Sequence, residues 1–276
     1  MLHDIIDIAQ RAGDAIMKVY KQDFAVQSKS DNTPVTAADI AANDVIEKAL
    51  QQLTPDIPVL TEESVWTPWQ ERQSWQRYWL VDPLDGTKEF VKRNGDFTVN
   101  IALIDQHYPV LGVVYAPARQ EIWYAERDQG AFYQDLTQSD TAPSRLTATA
   151  APTDGEPWLA LGSRSFHDKA VALFLEQLGE HQLTPVGSAI KTCMVAAGKA
   201  HIYPRLGLTS EWDTAASQIV AEEAGALVVN AETGERLKYN IKDSLLNPWF
   251  IAACADDPRW RASLSAVRDQ LSPTTN

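Results

Sequence analysis

The segment Trp79-Leu80-Val81-Asp82-Pro83-Leu84-Asp85-Gly86-Thr87-Lys88-Glu89-Phe90 joins an apolar run to two aspartates three residues apart. The run reads as a buried strand, and a carboxylate at its end is costly unless a cation or hydrogen-bond donors meet it. Two carboxylates on one tight turn also repel each other unless a cation sits between them. That arrangement suits Mg²⁺, a hard ion that takes oxygen ligands and bridges protein carboxylates to substrate phosphate. The same residues would equally make a good surface turn, with proline setting φ and glycine supplying a positive φ. The choice between metal cradle and turn depends on the rest of the chain.

With 276 residues and 45% hydrophobic content, the chain can bury a sizeable core. Its length allows one large domain or two of ordinary size. Acidic residues outnumber basic ones by 37 to 24, for a formal charge of -13. No basic footprint for a nucleic-acid polymer is visible in that balance. A small anionic substrate would have to be met by local basic residues or by metal ions. Cys193 and Cys254 lie in apolar context and far apart, and read as reduced core residues of a cytoplasmic protein. Asp4 and Asp7 interrupt the first apolar segment, which is therefore no secretory signal. The longest apolar stretch, around Trp249 to Ala255, is too short to span a bilayer.

Ile5, Ile8, Ala9, Ala12, Ile16 and Val19 recur at helical spacing, which predicts a first helix over 3–21. Ser28 to Pro34 reads as an exposed loop. A second helix begins near Thr36, with Ile40, Ile46, Ala49, Leu50 and Leu53 on its inner face. Thr36 and Asp39 stand at capping-box spacing. Six short strands follow between Pro58 and Tyr133 and predict a mostly antiparallel sheet. The Ser-, Thr-, Ala- and Pro-rich segment from Thr137 to Pro157 marks a boundary between two halves, 1–150 and 151–276. The second half alternates strands and helices, as an α/β layer does, with helices over 166–178, 188–197, 212–224 and from Arg259.

Other acidic residues bear on the opening pair. Glu62 and Glu63 follow the strand Val59-Leu60, so they fall at a strand end, as Asp82 does. Asp39 and Asp213 lie in first helical turns, where a carboxylate gains about 0.3–1 kcal/mol from the helix dipole alone. Each of them, taken singly, needs no functional explanation. Together they are carboxylates that project from the rim of an α/β layer, where sites tend to form. A two-metal centre needs three or four such groups from separate elements.

Three segments then carry a resemblance: Thr61-Glu62-Glu63-Ser64, Val81-Asp82-Pro83-Leu84-Asp85-Gly86-Thr87, and Glu211-Trp212-Asp213-Thr214-Ala215-Ala216. In order and spacing the chain resembles, over nearly its whole length, the inositol monophosphatase superfamily of Mg²⁺-dependent, lithium-sensitive phosphatases. Within it, Lys88-Glu89-Phe90, Pro34 to Asp39, Gly187 to Lys191 and Tyr203-Pro204-Arg205 are most similar to the 3'(2'),5'-bisphosphate nucleotidases of the CysQ type. Thr61 departs from the glycine or serine common before the glutamates.

The resemblance implies a layered α-β-α-β-α sugar-phosphatase-like fold, with an N-terminal α+β half and a C-terminal α/β half. It implies that Glu62, Asp82, the Leu84 carbonyl, Asp85 and Asp213 hold two or three Mg²⁺ ions, Asp82 bridging two of them. Thr87 with Asp39 would orient and help deprotonate the attacking water. Ser188 and Lys191, at the expected start of a helix, and Arg205 would take a second phosphate; Ser163, Arg164 and His167 would line the nucleotide pocket. Lys88 would reach the scissile phosphate or only relieve carboxylate repulsion. The implied reaction is removal of the 3'-phosphate of adenosine 3',5'-bisphosphate, and of its 5'-phosphosulfate form, in support of sulfate assimilation. An inositol or sugar monophosphatase with the same metals, and a non-catalytic phosphonucleotide-binding protein, are the competing readings. Oligomer formation and peripheral association with the inner membrane stay open at this level.

Overall fold

Alternation along the central strands sets the architecture. Among the residues of the strand Arg77–Asp85, Tyr78 and Leu80 enter one apolar cluster while Trp79 and Val81 enter another. Successive side chains of a strand point to opposite faces, so this sheet is covered on both sides. A computed structural model of the chain describes residues 1–22, 26–28, 34–63, 67–138, 141–164 and 168–271.

Helix α1 (Leu2–Tyr20) is followed by a two-stranded ribbon, β1 (Val26–Ser28) and β2 (Pro34–Thr36), and by α2 (Ala37–Leu53). Next come β3 (Val59–Thr61), α3 (Trp69–Arg72), β4 (Arg77–Asp85), α4 (Thr87–Val91), β5 (Thr98–Asp105), β6 (Tyr108–Ala116), β7 (Glu121–Glu126), β8 (Gly130–Asp135) and β9 (Ser144–Arg145). Strands β3 to β9 form one seven-stranded sheet in sequence order, antiparallel except for the β3–β4 pair.

The rest of the chain runs β10 (Trp158–Gly162), α5 (Lys169–Leu178), β11 (His181–Pro185), α6 (Ile190–Ala196), β12 (Ile202–Arg205), a 3-10 turn (Glu211–Asp213), α7 (Ala215–Glu223), β13 (Leu227–Asn230), β14 (Phe250–Ala253) and α8 (Pro258–Leu271). Its five strands form a second sheet in the order β11-β10-β12-β14-β13. Pairs β10–β11 and β10–β12 are parallel, and β12–β14 and β13–β14 antiparallel.

Helices α1 and α2 pack on the outer face of the seven-stranded sheet, α6 and α7 lie between the two sheets, and α5 and α8 cover the far face of the smaller one. The result is the α-β-α-β-α layering expected, with one apolar cluster in each of three interfaces. Among the described residues no helix is long and apolar enough to cross a membrane.

Several local expectations change. The inner face of α2 is Ala38, Asp39, Ala42, Asn43, Ile46 and Leu50, whereas Ile40 and Leu53 are exposed. Ala38, Ala42 and, as expected, Ile46 and Leu50 join the apolar cluster on that side of the sheet, whereas Asp39 and Asn43 meet the polar side chains of Thr36, Thr87 and Thr61. The helix expected over 212–224 is a 3-10 turn joined to α7 through Thr214, whose φ of -119° departs from helical geometry. Strand β11 is exposed at all five residues and has no alternation to read. The helix expected from Phe166 begins at Lys169, capped by the Asp168 side chain, and 165–167 lie outside the described residues.

Candidate active site

Aspartates three apart on a regular strand would point to opposite faces. Between Asp82 and Asp85 the register with β5 shifts: Asp82 pairs with Asn100 and Asp85 with Thr98, so three steps on β4 oppose two on β5. One extra residue, a bulge, turns both carboxylates to the same side. They meet Asp213 there, with carboxylate oxygens of all three within 4.8 Å of one another. Gly86 closes the turn at φ +90°, a conformation that L side chains rarely adopt.

Each acidic side chain is aimed by backbone groups. Asp82 Oδ1 accepts the Leu84 N–H at 3.0 Å, and Asp85 Oδ2 accepts the Ala189 N–H at 2.6 Å. The Ser210 N–H donates to Asp213 Oδ2 at 2.8 Å, the capping bond expected from their spacing. Glu62 follows β3, and its N–H donates to the Val81 carbonyl at 3.2 Å, which brings this residue alongside Asp82. It lines the same cavity but stands outside the tight three-carboxylate cluster. The departure at Thr61 has a structural use: its hydroxyl donates to Asn43 Oδ1 at 2.6 Å, fastening β3 to α2.

Burial, and then the charges of Glu62, Asp85 and Asp213, push the Asp82 carboxyl well above the usual range. Asp213 is raised to about 8, by burial first and Asp85 second. Asp85 is raised by burial, against the opposing pull of Lys191. Crowded, buried carboxylates of this kind fit a divalent cation, which removes the repulsion and favours the charged forms. The donor set is all oxygen, with the Leu84 carbonyl available in addition, as Mg²⁺ prefers.

Thr87 sits where a hydroxyl can serve that cluster. Its Oγ1 lies 3.3 Å from Asp39 Oδ1 and 3.3 Å from the Leu84 carbonyl. Asp39 is held by the capping box read from the sequence: Oδ2 accepts the Thr36 N–H at 2.7 Å and the Thr36 hydroxyl at 2.8 Å. Burial raises the Asp39 carboxyl, and the Thr36 hydrogen bonds oppose that rise.

The cavity is about 450 Å³ and is lined by Glu62, Asp82, Leu84, Asp85, Thr87, Lys88 and Asp213 together with Ser163, Ser188, Lys191 and Arg205. Lys191 is buried; its Nζ donates to the carbonyls of Ser188 (2.7 Å) and Val186 (3.3 Å) and lies 5.1 Å from the Tyr203 ring centroid. Burial pushes this ammonium down to about 8, although Asp85 opposes the shift. Arg205 donates to the Leu208 carbonyl at 2.6 Å, while its Nε is buried without a partner. Ser188 precedes α6 instead of starting it, at φ +49°, and its Oγ is likewise buried and unpartnered. Such orphaned donors on a cavity wall fit a bound polar ligand.

One of the expected nucleotide contacts is placed differently. Arg164 is not on the cavity wall; its Nε donates to Asp96 Oδ2 at 2.5 Å. His167 lies outside the described residues. The sequence reading missed Asn100, which sits opposite Asp82 and donates to Asp85 Oδ2 at 3.4 Å. A signal was present, because Asn100 interrupts the apolar run Val99-Asn100-Ile101. Asp96 carried no such signal, since its partners are remote in sequence.

A sequence profile of the inositol monophosphatase family matches residues 2–263. The 3'(2'),5'-bisphosphate nucleotidase CysQ of Escherichia coli strain K12 is 50% identical over 252 residues, 91% of this chain and 98% of that protein. Its counterpart in Haemophilus influenzae is 33% identical over 262 residues, 95% of this chain and 96% of that protein. The crystal structure of CysQ from Bacteroides thetaiotaomicron, a bacterial member of the inositol monophosphatase family, matches with a TM-score of 0.80 at 38% identity. That match covers 92% of this chain and 97% of the other. With the profile spanning nearly its whole length, the chain belongs to the inositol monophosphatase family, a family of metal-dependent phosphatases.

Proposed function

We propose that the chain is a Mg²⁺-dependent 3'(2'),5'-bisphosphate nucleotidase that converts adenosine 3',5'-bisphosphate and water to AMP and phosphate. One observation carries this reading. A single cavity holds both the acidic cluster of Asp82, Asp85 and Asp213 and, besides Lys88 next to that cluster in sequence, the cations Lys191 and Arg205. A monophosphate ester needs the cluster alone, whereas a bisphosphate uses both. The relatives named as bisphosphate nucleotidases, at 50% and 33% identity, support the same substrate class.

In this reading Glu62, Asp82, the Leu84 carbonyl, Asp85 and Asp213 would hold Mg²⁺, which supplies Lewis acidity and lowers the pKa of a nearby water. Water oxygen attacks phosphorus, the bond from phosphorus to the ribose 3'-oxygen breaks, and that oxygen leaves as a hydroxyl by taking a proton from solvent, to which Asp39 afterwards returns the one it accepted. Thr87 Oγ1 accepts a hydrogen bond from the attacking water. As the water loses its proton to Thr87, the threonine proton passes to Asp39 Oδ1. A carboxyl raised by burial is a suitable final acceptor. Ser188, Lys191 and Arg205 take the 5'-phosphate, and Lys88 and Ser163 complete the wall around the substrate. We assign the metal ligands Glu62 to Asp85 to an N-terminal half, 1–150, and Asp213 with the second-phosphate site to a C-terminal half, 151–276.

Phosphate release from adenosine 3',5'-bisphosphate and from inositol 1-phosphate, measured in parallel with Mg²⁺, tests the reading. The bisphosphate is expected to show the higher kcat/KM, and preference for the inositol ester would overturn the substrate assignment. Arg205→Ala is expected to raise KM for the bisphosphate by about tenfold or more, the size of a lost charge-assisted contact, and KM for 3'-AMP by less than about twofold. Equal effects on both esters would remove Arg205 from the second-phosphate site.

A further inference from the structure

Asp96 receives donors from three separate segments although it is 1% exposed. They are Arg119, just after β6; Arg164, two residues after β10, at 2.5 Å; and the Gly187 N–H at 3.1 Å. Burial alone would push its carboxyl up. The two guanidinium groups and the Gly187 N–H outweigh burial and hold it below the usual range. The approach is close on the backbone side as well. A Cβ on Gly187 would stand 2.5 Å from the Asp96 carbonyl oxygen, and one on Gly86 would stand 3.0 Å from it. Asp96 therefore touches both the turn that carries Asp85 and the segment that carries Ser188.

Ser188 needs such support. A positive φ on serine is disfavoured and persists only where the surroundings impose it. Its neighbours are tied on either side, Gly187 N–H to Asp96 and Ala189 N–H to Asp85. Arg164 adjoins Ser163, which lines the cavity as Ser188 does. Asp96 is not on the cavity wall, so it reaches a substrate only through these segments.

We propose that Asp96 is a positioning residue for the substrate side of the cavity, holding Ser163 through Arg164 and Ser188 through Gly187. Arg164 then serves the site as a strut between the two sheets and makes no contact with substrate. The choice of substrate in the test rests on the nucleotidase reading.

A double-mutant cycle of Asp96→Asn and Arg164→Ala, with steady-state kinetics on adenosine 3',5'-bisphosphate, tests this. Each single variant is expected to raise KM by about tenfold, with kcat within about threefold of wild type, and the double variant to exceed Asp96→Asn by less than about twofold. A direct substrate contact by Arg164 would cost the same factor in both backgrounds, and that outcome overturns the proposal. So does a fall in melting temperature with KM unchanged, the mark of a merely structural ion pair. If Asp96→Asn fails to fold, Arg164→Ala decides, because its side chain is 40% exposed; KM within about twofold of wild type there overturns the proposal. Failure of the wild-type protein to hydrolyse the bisphosphate would sink the nucleotidase reading instead, and the same cycle would then be read with the ester that it does hydrolyse.

Discussion

Asp82→Asn is expected to lower kcat by about three orders of magnitude or more, and to raise the melting temperature of the metal-free protein. Asparagine keeps the acceptor that Asp82 Oδ1 offers to the Leu84 N–H. What it removes is a buried carboxyl whose ionisation Glu62, Asp85 and Asp213 all oppose, and which the unfolded chain ionises freely. Loss of one carboxylate from a clustered ligand set disables phosphate chemistry while relieving repulsion in the empty cluster. Asp85→Asn makes the informative contrast. Its charge faces Lys191, so neutralising it leaves a buried ammonium without its nearest counter-charge. That variant is expected to lose activity without gaining stability.

Titration sharpens the same prediction. In the folded, metal-free protein Asp213 is raised to about 8 and Asp82 well above the ordinary carboxylate range. The unfolded chain releases these protons near pH 4, so between about pH 4 and pH 8 it binds fewer protons than the folded state. Stability from these groups is therefore full below that window and declines as pH rises through it. Saturating Mg²⁺ should reverse the decline by binding the ionised cluster of the native state. Thermal melts at pH 5 and pH 8, with and without Mg²⁺, read this out. A metal-free protein more stable at pH 8 than at pH 5 would refute the electrostatic account of the cluster.

How far the site was legible in the sequence follows from the range of the interactions involved. The capping boxes at Thr36–Asp39 and Ser210–Asp213 span three residues each and were readable as spacings. The convergence of Asp82 and Asp85 was readable only in part. Their faces are decided by a bulge against β5, and a register shift has no signature in one strand alone. Ser188 was expected to begin a helix because its segment is followed by an apolar run; the positive φ there is imposed by partners far along the chain. The ion pair that Arg164 makes was hidden for the same reason. A cation beside a predicted pocket is ambiguous until its counter-charge is located, and Asp96 is 68 residues away. Strand β11 escaped notice because an exposed edge strand carries little of the apolar alternation that marks a central one.

Asp39→Asn is expected to lower kcat by about a thousandfold with almost no change in melting temperature. The two oxygens of Asp39 have separate duties: Oδ2 caps α2 through the Thr36 N–H and hydroxyl, and Oδ1 meets Thr87 Oγ1. Asparagine can present its carbonyl oxygen to the cap and so preserve the helix start. Its amide N–H₂ then faces Thr87 and donates where the carboxylate accepted. The hydroxyl of Thr87 is forced to act as acceptor toward residue 39, and it can no longer pass a proton that way. Asp39→Ala should lose the same activity and also about 1 kcal/mol of stability, the usual value of such a cap. Thr87→Ser, which keeps the hydroxyl, should retain turnover to within about tenfold, whereas Thr87→Val should fall as far as Asp39→Asn. Steady-state kinetics at saturating Mg²⁺, paired with thermal melts, separate these cases. An Asp39→Asn protein with turnover within a factor of about three of wild type would mean that Asp39 only caps the helix, and that Thr87 orients water without help from it.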